Sequence, residues 1–166
     1  MIAANVVKEI ENGDGGFGTP RAPEGGVSVG TETIDGVTFE LETVNDAEAP
    51  EHLLIKIPEA GAIIVQDLVY SGVHAYPFGN VPNWINVLEG LLPLTQNGYK
   101  FMLNGHGMPS NFSEINQLIG YLNFQQEAIG NATTAEEAIN PILEQYPGYS
   151  GAAMAQFIGF AFQQDS

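Results

Sequence analysis

Apolar residues recur at every second position early in this chain and at every third or fourth position later on. Residues 27–34 and 37–44 alternate between apolar and polar side chains and are joined by Asp35-Gly36. That dipeptide accepts the left-handed backbone of a two-residue turn, so the pair predicts a β-hairpin. A second apolar pair, residues 53–57 and 62–65, flanks Pro58-Glu59-Ala60-Gly61 and predicts another hairpin. From Pro82 the period changes. Trp84, Ile85, Leu88, Leu91 and Leu92 follow helical spacing, with Asn83 as the expected cap and Pro93 as the stop. Residues 99–103 read as a buried strand, and Ile115, Leu118, Ile119 and Leu122 begin a helix expected to reach Ile129. Thr134 ahead of Glu136 and Glu137 marks a further helix start, where the backbone dipole favours acids. Pro141 is expected to break or kink that helix, and residues 152–162 form a last apolar helix.

The first 26 residues carry weaker signals. Val6, Val7 and Ile10 have helix-like spacing, and residues 12–26 are rich in Gly and Pro, as in a loop or linker. With no internal repeat and no second apolar pattern, residues 1–166 read as one domain: an N-terminal arm over 1–26, then a folded unit over 27–166. Strand pairs followed by helices imply an α/β or α+β fold, with one mixed sheet covered by helices on one face.

Twenty Asp and Glu stand against Lys8, Arg21, Lys56 and Lys100, giving a net charge of −16. Such a chain cannot displace counterions from phosphates, which excludes nucleic acid as a partner. The same repulsion excludes an anionic membrane surface. The absence of Cys removes disulfides, thiolate nucleophiles and thiolate metal sites. No 18-residue apolar run and no basic, then apolar, leader is present, so a cytoplasmic location is the default expectation.

Two segments carry candidate chemistry. Residues 62–67, Ala-Ile-Ile-Val-Gln-Asp, and residues 99–107, Tyr-Lys-Phe-Met-Leu-Asn-Gly-His-Gly, are strand-length apolar runs that end on a side chain able to bind metal. Asp67 has the alternative role of turn former or cap, and His106 that of a neutral imidazole bonded to loop backbone. Glu48, beside Asp46 and Glu51, is either a ligand or a solvated loop acid. His52 reads as a surface or edge residue. Tyr70 and His74 follow Asp67 closely and are candidate pocket residues, while Tyr76, Phe78 and Trp84 are expected to form a helix-to-sheet contact.

With Asp67 closing one strand and Gly105-His106-Gly107 closing a later one, residues 37–129 resemble the C-terminal half of the metallo-β-lactamase superfamily. The stretch Ser71-Gly72-Val73-His74 is similar to one of its branches. The resemblance implies that Asp67 corresponds to a metal-bridging carboxylate, His106 to a ligand of the second metal, and Glu48 to a position usually held by a ligand His. It departs from the family at Gln66, where a Gly normally precedes the Asp. It also departs in lacking any His-x-His-x-Asp-His motif, since His52, His74 and His106 are the only histidines.

Those absences shape the functional expectation. No catalytic residue is assigned, and Glu48, Asp67 and His106 are vestigial or candidate metal ligands that hold zinc or manganese weakly if at all. The resemblance implies half of a helix–sheet–sheet–helix sandwich, whose bare sheet face is expected to form a homodimer. The leading expectation is a non-catalytic binding or scaffold protein. Its rivals are a metal-dependent hydrolase completed across subunits, and a fragment or subunit of a split hydrolase.

Overall fold

The computed structural model describes residues 28–162, so the arm expected over 1–26 lies outside the described residues. Five strands form one mixed sheet in the order of the chain: β1 (Gly30–Ile34), β2 (Val37–Asn45), β3 (Glu51–Ile57), β4 (Ala62–Ser71) and β5 (Phe101–Gly107). The first three pairings are antiparallel, and β4 with β5 is parallel. Asp35 (φ 51°) and Gly36 (φ 82°) turn β1 into β2 as the dipeptide predicts. A short 3₁₀ turn, Pro58–Ala60, ends on left-handed Gly61 and returns β3 to β4.

A parallel neighbour needs a crossover, and helix α1 (Val81–Leu91) with its 3₁₀ extension Leu92–Asn97 supplies it. Asn80, not Asn83, caps α1, its side chain accepting the Asn83 N–H at 3.2 Å. The cap lies one turn earlier than expected because Pro82, which lacks an N–H, fits within the first turn. After β5 come α2 (Ser113–Asn131), α3 (Ala135–Gln145) and α4 (Ala152–Gln156), the last continuing as 3₁₀ helix Phe157–Phe162. Thr134 caps α3 through the Glu137 N–H, and Pro141 lies inside that helix without ending it.

The helices share one sheet face. Residues paired across strands share a face, and neighbours along a strand alternate. Ile63 on β4 pairs with Met102 on β5, and both are fully buried in the core with Trp84, Leu88, Ile115 and Leu122. Ile64 pairs with Leu103 and faces away from that core. Ile63 therefore packs under the helices and is not part of the bare face expected for it.

Two strands are longer than their apolar runs. Asp67 was expected at a strand end, but β4 continues past it to Ser71. Likewise Gly105-His106-Gly107 is the end of β5 itself, not a turn beyond it. The ladder between β4 and β5 slips between Ile64 and Gln66 and again between Gln66 and Tyr70, a β-bulge that resets the alternation.

Candidate functional site

The bulge begins at Gln66, whose backbone is left-handed (φ 49°). A side chain in that conformation costs about 1 kcal/mol relative to Gly, the residue that the resemblance leads one to expect here. Gln66 recovers part of the cost. Its side-chain oxygen accepts the Leu53 N–H at 3.3 Å, where β3 has parted from β4. Beyond the bulge the Asp67 carboxylate lies over β5. A Cβ on Gly105 would stand 1.9 Å from Asp67 Oδ1, so the first Gly of the Gly-His-Gly run makes room for that carboxylate. The second serves the backbone: a Cβ on Gly107 would stand 2.0 Å from the Ser71 carbonyl oxygen.

His106 is thereby held between two partners. Its ring stacks on Tyr70 with centroids 4.7 Å apart, and Nε2 lies 3.5 Å from Asp67 Oδ1. Tyr70 in turn packs edge-on against Trp84, whose indole N–H donates to the Leu68 carbonyl at 2.8 Å. Trp84 thus makes the expected helix-to-sheet contact. Tyr76 and Phe78 do not share it; they pack against each other and line the cleft.

Glu48 arrives on the loop between β2 and β3, which is clamped to the start of α1. The Asn83 amide donates to the carbonyls of Asn45 (3.1 Å) and Asp46 (2.8 Å), and the Asn80 N–H donates to Ala47 (2.8 Å). Gly79 permits this approach, since a Cβ there would lie 2.7 Å from the Ala47 and Glu48 carbonyl oxygens. Sequence reasoning missed this clamp, although the run Phe78-Gly79-Asn80 before a capped helix was its visible signal. Asn83→Ala removes two hydrogen bonds at once and is expected to cost about 1–2 kcal/mol in a urea unfolding titration.

The result is an open cleft of about 650 Å³ lined by Glu48, Asp67, Tyr70, Tyr76, Phe78 and His106, among others. Glu48 is driven toward its neutral form. Burial first, then the charge of Asp67, raise it to about 7, against a smaller opposing effect of the Tyr70 hydroxyl bonded to it at 3.3 Å. Tyr70 is itself pushed well above the ordinary phenol range, chiefly by burial and then by Glu48 and Asp67, and remains a hydrogen-bond donor.

Two histidines depart from expectation. His52 is buried, not a surface or edge residue, because the loop folds back over it. Its Nε2 accepts the Ala49 N–H at 2.9 Å, which leaves no ring lone pair for Glu48 Oε2 at 3.4 Å. Burial holds His52 below its ordinary value, opposed by the Asp67 charge. His74 is a correction to the candidate pocket. It lies in the core with Nδ1 3.1 Å from the Tyr121 hydroxyl and its ring against Tyr149, outside the cleft lining, and burial lowers its proton affinity. Proximity to Asp67 in sequence fails here because β4 runs on past Asp67, and Val73 then bridges to Ser150 near the C-terminal helices.

Glu48, Asp67 and His106 share the cleft yet do not converge. Among the described residues no three His, Cys, Asp or Glu side chains form a group able to hold a metal ion. Asp67 and His106 meet, whereas Glu48 turns toward His52 and Tyr70. A catalytic zinc takes about three protein donors around one ion and an open position for water, and these residues do not provide that set.

The architecture has counterparts among solved structures. A metallo-beta-lactamase family protein from Thermus thermophilus superposes with TM-score 0.60 at 15% identity, over 97% of this chain and 57% of that one. A beta-lactamase domain protein from Burkholderia ambifaria gives 0.53 at 17% identity, over 85% and 48%. A metallo-beta-lactamase from Pontibacter korlensis gives 0.51 at 15%, over 70% and 54%. The fold is that of half a metallo-β-lactamase domain. This chain spans about half the length of those structures. Neither a protein-family model nor a curated protein matches it. Among the described residues, no helix is long and apolar enough to cross a membrane.

Proposed function

We propose that this chain is a non-catalytic binding module on half of a metallo-β-lactamase fold, whose acidic cleft takes up divalent zinc or manganese only weakly. The supporting observation is the donor set. Of the three candidate ligands, Glu48 is engaged by Tyr70 and crowded by His52, and only Asp67 and His106 approach each other. Two donors leave an ion mostly hydrated, and a water so held keeps a pKa too high to supply hydroxide near neutrality. The half-exposed side chains of Asp67 and His106 favour a second reading, in which another subunit adds donors and builds a hydrolase site.

Elemental analysis of the purified protein, with calorimetric titration by zinc and manganese chlorides, separates the two. The expected result is well under one equivalent of metal per chain and no metal-dependent hydrolysis of lactam, lactone or thioester substrates. Stoichiometric metal, lost together with such hydrolysis in both Asp67→Ala and His106→Ala, would replace the binding module with the shared-site hydrolase.

A further inference from the structure

Among the described residues no helix covers the sheet face turned away from the core, and that face is apolar, with Leu41 near its middle already buried among its neighbours. Following the register from edge to edge, it presents Ile34 on β1, Phe39 on β2, Ile55 on β3, Ile64 on β4, and Phe101 and Leu103 on β5. Ile34 is 55% exposed, Phe101 56% and Leu103 38%, values that isolated surface residues reach but a whole sheet face rarely does. Strand β2 shows which side the sequence means to bury. Its polar Thr38, Glu40 and Glu42 point to the helix side, where Glu42 pairs with Lys56, and its apolar residues point the other way. An alternating strand places its apolar set toward cover, so this face is built to be covered.

We propose that a second copy of this chain covers it, sheet on sheet about a two-fold axis. The extent fits. Five strands at about 4.8 Å spacing and about 20–30 Å long give roughly 500–700 Å² a side, so two copies bury about 1,000–1,400 Å², near the size of stable interfaces. The surface is also self-complementary. A two-fold contact sets each patch against itself, which a uniformly apolar face tolerates and a charged one does not. The charges on this face stand toward its margins: Glu32 on the edge strand, Glu51 at the first position of β3, and the Asp67 carboxylate over Gly105 at the end of β5. Twisted sheets pack face to face about 10 Å apart with their side chains interdigitated, which suits these branched and aromatic residues. The remaining obstacle is long-range repulsion between two chains of net charge −16, which salt screens.

Light scattering of the full chain at micromolar concentration should give twice the 17.7 kDa chain mass. Dissociation on dilution should weaken between 20 and 500 mM NaCl. Leu103→Glu and Phe101→Glu should each weaken association at least 100-fold while keeping the far-ultraviolet circular dichroism. Hydroxyl-radical footprinting of the unaltered protein decides the matter even if those variants aggregate. Phe101, 56% exposed in the single chain, should react more slowly than Phe160, which is 52% exposed. A monomeric mass would overturn the proposal. So would a dimer whose Phe101 reacts as fast as Phe160, because its interface would lie elsewhere.

Discussion

Gly107→Ala is expected to lower the melting temperature by about 10 °C, corresponding to roughly 3–5 kcal/mol in a chain of this size. Two costs combine. Gly107 has φ 85°, a conformation that costs an alanine about 1–2 kcal/mol. The added Cβ would also stand 2.0 Å from the Ser71 carbonyl oxygen, a backbone atom of the paired strand that cannot rotate away. The end of β5 must then separate from β4, and the ladder that carries His106 beside Tyr70 separates with it. Gly72→Ala isolates the first cost, because Gly72 has φ 62° with open space where its Cβ would lie. It should lose only about 1 kcal/mol. If thermal melts of the two variants agree within about 2 °C, the close approach of β5 to β4 is wrong. Gly105→Ala should behave differently from both. Its Cβ meets first the movable carboxylate of Asp67, so the Asp67–His106 pair is disturbed more than the fold.

The parts of this fold that local chemistry decides were legible in the sequence, and the parts that distant contacts decide were not. Asp35-Gly36 fixes its own turn, and alternation in residues 37–44 fixes the register of β2 with its neighbours. The extent of β4 was hidden because the bulge at Gln66 breaks the period. After it Leu68, Val69 and Tyr70 are all buried in a row, a pattern that alternation does not recognise as a strand. The order of elements made one mixed sheet with helices readable, the resemblance to metallo-β-lactamases implied the half-sandwich, and the solved structures share it. For the site, Asp67 and His106 were legible as residues that the fold brings to one place, since each lies near the end of an apolar run feeding the same pair of strands. His74 was misread because α2 brings Tyr121 over it from a distant part of the chain. His52 was misread because nothing near it announces that residues 46–50 fold back and direct an N–H at its ring.

Glu48→Gln is expected to stabilise the protein at pH 8 by about 1–2 kcal/mol and to leave it unchanged near pH 4. Glu48 rises from 4.5 in an unfolded chain to about 7 in the fold, so the folded state prefers the protonated acid. Its stabilising contribution is therefore complete below pH 4.5 and declines as pH climbs through that value. Above pH 7 the buried carboxylate is ionised next to Asp67, and its full penalty is present. Glu48 lines an open cleft, so water screens part of that penalty and the expected gain is smaller than the full shift would give. A glutamine keeps the shape and the acceptor oxygen for the Tyr70 hydroxyl but cannot ionise, so it removes the penalty without opening a void. Urea unfolding of both proteins at several pH values gives the difference directly, and effects shared with the other acids cancel in it. A Glu48→Gln variant less stable than the parent at pH 8, or a difference that does not grow between pH 4.5 and 7, would show that Glu48 is already charged and compensated in the fold. The carboxylate would then have a positive partner beyond the neutral His52 and the Tyr70 hydroxyl. Because the His52 lone pair is occupied by the Ala49 N–H, no such partner stands beside it among the described residues.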